Sequence, residues 1–307
     1  MTHYALTLCD VSCGFPGASR RGGGLHGVSL ALLPGEIAGI AGPAGAGKST
    51  LLQIAAGCLQ PPRGEARVCG MRATHPAARR LVGYARDGAA FPPSLTVREV
   101  LMYYARLHAD GTGELAAQRL VREAFDASGL GAAADLFVGA LGRADLQRLA
   151  LAQATLGHRQ VLVLDETLSE LDAAARRDLR WRIAGLAAAG VAVLMASRDP
   201  AALERLAARV LILREGRIVR AGPLPELVGE RVLEVILDAP PREAPPGFRI
   251  TEAGIEASLN GRTVEAALAL CRAHRLPVRA SRVRVKSLED VVLDAHDAHD
   301  AHDAHRH

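Results

Sequence analysis

Short apolar runs alternate with stretches of helical spacing through the first two thirds of the chain. Glu36-Ile37-Ala38-Gly39-Ile40-Ala41 predicts a strand, and Lys48 to Gly57 a helix directly after a glycine-rich loop. Ala5 to Val11 alternates enough for an edge strand, with Val28 to Leu33 as its neighbour, and Glu65 to Gly70 and Leu81 to Ala85 predict short strands. Thr96 to His108 has helical spacing, with Val97, Val100, Leu101 and Tyr104 on one face, and Glu114 to Ser128 and Ala144 to Leu156 predict two more helices. The apolar run Val161-Leu162-Val163-Leu164 predicts a strand buried on both faces. Asp172 to Ala188 then predicts a helix, and Val191 to Ala196 and Val210 to Leu213 predict strands. Strands alternating with helices define an α/β class with a doubly wound core.

From Arg231 the alternation weakens, and Pro240-Pro241 and Pro245-Pro246 mark an irregular connection. Val232 to Leu237, Phe248 to Thr251, Ile255 to Leu259 and Arg282 to Lys286 predict strands, with a helix over Thr263 to His274 and another after Ser287. This predicts a small α+β domain over 231–294, behind a first domain over 1–230. The remainder, 295–307, repeats an Asp-Ala-His triplet too polar to pack and predicts a disordered tail able to bind Zn²⁺, Ni²⁺ or Cu²⁺ in vitro.

The loop after the first buried strand changes the picture most. Gly42-Pro43-Ala44-Gly45-Ala46-Gly47-Lys48-Ser49-Thr50 fits G-x-x-x-x-G-K-[ST], the phosphate-binding loop. Its glycines let successive N–H groups point at phosphate oxygens, and the following helix adds its dipole. Lys48 is placed to reach the β/γ-phosphates, and the Ser49 hydroxyl to ligate Mg²⁺. Asp165 and Glu166 stand at the carboxyl end of the later buried strand, where open α/β sheets bind ligands. Asp165 would hold Mg²⁺ through water, and Glu166 would polarise an attacking water, a step worth about 10²–10⁴ in rate. Phe15 either stacks on an adenine ring or covers core.

Composition narrows the function classes. The chain has 307 residues, 49% hydrophobic and 23% charged, enough for a large and a small domain. No window of about 18 apolar residues predicts a membrane span, and the start of the chain predicts no secretory signal. Five scattered cysteines fit small buried hydrophobes in a reducing cytoplasm; Cys9 and Cys13 have no second pair to complete a metal site. A net charge of +4 without a basic, aromatic-interleaved stripe argues against nucleic acid as a partner.

Several blocks together resemble the nucleotide-binding domain of ATP-binding-cassette (ABC) transporters over about residues 4–230. They are the phosphate loop, Phe91-Pro92-Pro93-Ser94-Leu95-Thr96-Val97-Arg98-Glu99, Leu164-Asp165-Glu166, Ser169-Glu170-Leu171-Asp172 and Leu213-Arg214-Glu215-Gly216-Arg217-Ile218. Ser287-Leu288-Glu289-Asp290-Val291-Val292-Leu293 resembles the close of the drug-resistance, polysaccharide and daunorubicin-type exporter ATPases. The resemblance implies a P-loop NTPase fold, ATP and Mg²⁺ as cofactors, a separate membrane permease as partner, and a second cassette completing each ATP site. It implies a cytoplasmic subunit held on the inner face of the cell membrane through that permease.

The departures from the family pattern are specific. Arg86-Asp87 stands where the family carries Gln, so Asp87 lies near phosphate either as a Mg²⁺ ligand or as a solvated loop acid. The signature Leu-Ser-Gly-Gly-Gln reads Leu141-Gly142-Arg143-Ala144-Asp145. Glu166 runs into Thr167 without the usual Pro, and the switch His is Arg198. Arg198 can pair with phosphate but cannot exchange a proton. These changes favour pairing with a different cassette over self-pairing, and slow turnover. The alternatives are a non-hydrolysing, ATP-sensing cassette paired with an active one, and a soluble non-transport ABC protein.

Overall fold

The computed structural model describes residues 3–14, 24–88, 90–108, 113–239, 241 and 243–295. Phe15 and residues 296–307 lie outside the described residues. The chain forms two compact units, Met1–Ala221 and Gly222–His307.

In the first unit, β1 (Leu6–Gly14) and β2 (Gly24–Leu32) pair antiparallel. The strand β3 (Ile37–Ala41) and helix α1 (Lys48–Ala55) follow, then β4 (Arg63–Val68), β5 (Met71–Arg72), α2 (Pro76–Arg80) and β6 (Val82–Arg86). Three helices come next: α3 (Val97–His108), α4 (Glu114–Ser128) and α5 (Arg143–Thr155). The unit continues with β7 (Val161–Asp165), α6 (Ala173–Ala188), β8 (Ala192–Ala196), α7 (Pro200–Glu204) and β9 (Arg209–Arg214), and β10 (Arg217–Pro223) runs across its end.

Two sheets result, ordered β2-β1-β4-β5 and β10-β9-β3-β8-β7-β6. The first strand is therefore not an edge: β1 pairs with β4 as well as β2, burying Leu6, Leu8 and Val11. In the larger sheet β3 lies between β8 and β9, and β7 between β6 and β8, all parallel. Each of β3, β7 and β8 is buried at all five positions, as continuous apolar runs require when both faces are covered. Glu36 fixes the start of β3: it accepts from the Leu33 amide at 2.9 Å and pairs with Arg209 of β9 at 2.8 Å.

Helices α3, α4 and α5 build a core of their own from Val97, Val100, Leu101, Ala117, Val121, Leu149 and Ala152. Each large side chain so buried contributes about 1.5–3 kcal/mol. Thr96 and Glu99 cap α3 reciprocally: the Glu99 amide donates to Thr96 Oγ1 at 3.2 Å and the Thr96 amide to Glu99 Oε2 at 2.8 Å. Asp172 caps α6 by accepting from the Ala175 amide at 2.8 Å.

The second unit holds α8 (Leu224–Val228), β11 (Arg231–Leu237), β12 (Phe248–Thr251), β13 (Gly254–Ser258), α9 (Val264–Ala273), β14 (Val278–Val285) and a last helix over 288–295, α10. Its antiparallel sheet is ordered β12-β13-β11-β14. Ala267 and Cys271 of α9 pack on Leu233, Val235 and Ile255. Arg284 bridges Glu256 and Asp290 at 2.8 and 2.5 Å.

Candidate functional site

The central strand β3 ends at Ala41 and the chain turns through 42–47 before α1 starts at Lys48. Glycine is required at two of these positions. Gly42 has φ +151°, and a Cβ there would stand 2.1 Å from the Leu213 carbonyl oxygen. Gly47 has φ +100°, and a Cβ would meet Leu25 Cδ2 at 2.9 Å and Gly24 O at 3.0 Å. The Gly216 amide, in the turn after β9, donates to Ala46 O at 3.0 Å and anchors the loop.

Lys48 reaches back across this loop. Its ammonium donates to the Gly42 and Pro43 carbonyls at 2.7 and 2.9 Å, which draws the backbone into a closed cradle. Burial lowers its pKa, against the raising effect of the Glu166 charge; Arg198 adds to the lowering and Asp165 opposes it. Beside Gly45 the cradle is open, with no atom within 4 Å of where a Cβ would sit.

The acids at the end of β7 face this loop. Burial pushes the Asp165 carboxyl above its ordinary value, against a hydrogen bond from Ser49 that favours the charged form. Its Oδ1 is buried and has no hydrogen-bond donor among the described residues. A carboxylate oxygen left so is costly unless a cation or ordered water satisfies it. Ser49 and Asp165 together thus fit a Mg²⁺ site, and the cradle fits phosphate.

Glu166 has φ +55°. Its Oε2 accepts from Ser169 Oγ at 2.9 Å and from the Arg198 amide at 3.0 Å. Its Oε1 lies 3.5 Å from Arg198 Nε. Residues 44–50, Glu166, Arg198 and Gly24 line one cleft of about 330 Å³. Ala44, Gly45, Ala46, Gly47, Lys48, Ser49, Thr50, Glu166 and Arg198 are thereby brought together, while Gly42 and Pro43 serve as acceptors for Lys48.

Asp87 is placed differently. Its amide donates to the Asp165 carbonyl at 2.8 Å, which continues the β6–β7 pairing. Its carboxylate turns to α5, accepting from Arg143 at 2.7 Å and Gln147 at 2.6 Å. It is thus neither a lone solvated acid nor a lining of the cleft. Gly24 and Ser169 were missed as site residues in the sequence. Ser169 stands in the Ser-Glu-Leu-Asp block and was open to recognition there; Gly24 reaches the loop only through the fold.

The profile of the ABC transporter family matches residues 25–169. A Nod factor export ATP-binding protein I of Paraburkholderia xenovorans is 32% identical over 210 residues, covering 68% of this chain and 68% of that one. This chain belongs to the ABC transporter ATP-binding family. A namesake in Burkholderia pseudomallei is 36% identical to the cassette over 202 residues, 64% of this chain and 65% of its own length. The chain thus spans slightly under two thirds of the length of that relative. A sulfate/thiosulfate import ATP-binding protein of Chromobacterium violaceum is 36% identical over 201 residues, 65% and 54% of the two chains. Among solved structures, an ATP-binding subunit of an ABC transporter superposes with a TM-score of 0.64 at 26% identity, over 73% of this chain and 91% of that one. A dimeric cassette bound to ADP and Pi shares the fold with a TM-score of 0.65 at 22% identity, over 71% and 98%. Among the described residues of the cassette, no helix is long and apolar enough to cross a membrane.

Proposed function

We propose that the cassette binds Mg-ATP in the cleft between the phosphate loop and the end of β7, as the ATP-binding subunit of an exporter whose membrane-spanning permease is a separate chain. The observation that carries this is the closed cradle held by Lys48 opposite the donor-free Oδ1 of buried Asp165. Loop amides and Lys48 would hold the β/γ-phosphates; Ser49 and Asp165 would hold Mg²⁺, which when bound would offset phosphate charge. Phe15 is the candidate to stack on the adenine. Glu166 takes the proton of the attacking water as its oxygen joins the γ-phosphorus and the β–γ bridging bond breaks. The export direction follows the relatives' names and the Ser287 to Leu293 close. Through the permease the cassette sits at the inner face of the cell membrane.

Two observations favour slow hydrolysis, up to a purely ATP-sensing role. Arg198 holds Glu166 by amide and guanidinium, and Gly142-Arg143-Ala144-Asp145 carries side chains where a partner's nucleotide meets backbone. A heterodimer with a cassette of intact signature is the arrangement that gives this chain's Lys48, Asp165 and Glu166 a complete facing site.

Melting with and without Mg-ATP, in wild type and Lys48→Ala, tests the binding. Ligand at about 1,000 times its Kd stabilises a fold by roughly 4 kcal/mol. A shift in wild type that the variant lacks is expected; equal shifts remove the phosphate loop from the account.

A further inference from the structure

The residue at the first position of α5, Arg143, makes a three-way ion pair across loops far apart in sequence. Its Nη2 donates to both oxygens of Asp87 at 2.7 and 2.8 Å, and its Nη1 lies 3.1 Å from Glu170 Oε2. One turn further along α5, Gln147 donates to Asp87 Oδ1 at 2.6 Å, and the Gly88 amide donates to the same oxygen at 2.9 Å. A guanidinium is suited to this, because its planar fork presents several donors in fixed directions; an ammonium is not.

Each carboxylate that Arg143 holds is tied to one of the two acids at the end of β7. Asp87 donates its amide to the Asp165 carbonyl at 2.8 Å. Glu170, at φ +55°, follows Ser169, whose hydroxyl donates to Glu166 at 2.9 Å and whose amide donates to the Glu166 carbonyl at 3.1 Å. Arg143 therefore touches neither acid but spans the two loops that position them. Beside this junction, Gln147 Oε1 is buried without a donor among the described residues, and a cavity of about 60 Å³ adjoins Asp87, Arg143 and Gln147. The junction thus has an unsatisfied acceptor and room to rearrange.

We infer that Arg143 is a positioning residue that couples α5 to the nucleotide cleft, through Asp87 to the Asp165 side and through Glu170 to the Glu166 side. The inference rests on the nucleotide reading above. Nucleotide arriving at Asp165 and Glu166 shifts the two loops, and the ion pair carries that shift to α5. The chain holds its own reporter: Trp181, the lone tryptophan, is 78% exposed on α6 and lines a groove with Leu151, Ala152 and Thr155 of α5.

The test uses the full chain and measures Mg-ATP affinity by calorimetry, amide exchange over 143–155, and Trp181 fluorescence. Wild type, Arg143→Ala, Arg143→Lys and Glu170→Gln are compared. The side chain of Arg143 is 44% exposed, so these variants should fold. In wild type, Mg-ATP is expected to change α5 exchange about tenfold and to shift the fluorescence. In Arg143→Ala, measured at saturating Mg-ATP, both responses should fall below twofold. Arg143→Lys should not restore them, and Glu170→Gln should remove part. A full response in Arg143→Ala overturns the inference, as does wild type that binds Mg-ATP without any change at α5. Wild type that does not bind Mg-ATP at all overturns the nucleotide reading and the inference with it.

Discussion

Arg198 engages Glu166 by two routes: its amide donates to Oε2 at 3.0 Å, and its guanidinium Nε lies 3.5 Å from Oε1. The side chain of Arg198 is 75% exposed and that of Glu166 is 10% exposed, so the guanidinium is the member free to swing toward a bound phosphate. A charge-assisted hydrogen bond from the Arg198 guanidinium to phosphate would be worth about 1.5–3 kcal/mol. Arg198→Ala should therefore weaken Mg-ATP binding about 10- to 100-fold, measured by calorimetry. An unchanged Kd would place Arg198 away from phosphate.

The phosphate loop depends on Gly42 for steric reasons beyond φ. Gly42→Ala drives a Cβ to 2.1 Å from the Leu213 carbonyl oxygen, a backbone atom that cannot move aside as a side-chain end can. It should cost about 1–3 kcal/mol in urea unfolding and abolish nucleotide binding. Gly45→Ala, at φ +78° with open space around it, should cost less. Equal costs at the two positions would contradict the steric argument.

In the second unit, burial pushes the Asp290 carboxyl up, but hydrogen bonds from Arg284 and Ser287 together with the Arg284 charge outweigh it and hold the pKa at about 2. A depressed carboxylate adds stability above its unfolded value near 3.8 and loses it as pH falls toward 2. The pKa difference corresponds to about 2 kcal/mol at neutral pH. Asp290→Asn should lower stability by that order at pH 7, with the gap to wild type closing between pH 4 and about 2. A gap that does not depend on pH would assign the loss to packing instead.

Much of this was legible along the chain. The helix over Glu114–Ser128 and the buried strand before Asp165 were readable because each is a long or wholly apolar run with one period. The phosphate loop was readable because its chemistry is local. Five other elements were not: β5, α2, α7 and α8, of two to five residues, are too short to show a period, and β10 is mostly exposed. The interior place of β1 depends on its pairing with β4, more than fifty residues on, which no local pattern encodes. The same holds for Asp87, whose partner Arg143 lies 56 residues away. In the sequence alone Asp87 was an acid near phosphate, and only the fold turns its carboxylate to α5.

Phosphate release by the purified chain tests the account most directly, first alone and then with a cassette whose signature is intact. The isolated chain should bind Mg-ATP yet release phosphate slowly, because Gly142-Arg143-Ala144-Asp145 would face both nucleotides of a self-pair and Arg198 holds Glu166. Release should rise on adding the partner and fall again in Glu166→Gln. Robust turnover by the isolated chain, abolished by Glu166→Gln, would contradict the heterodimer reading and show that Arg198 serves in place of the histidine.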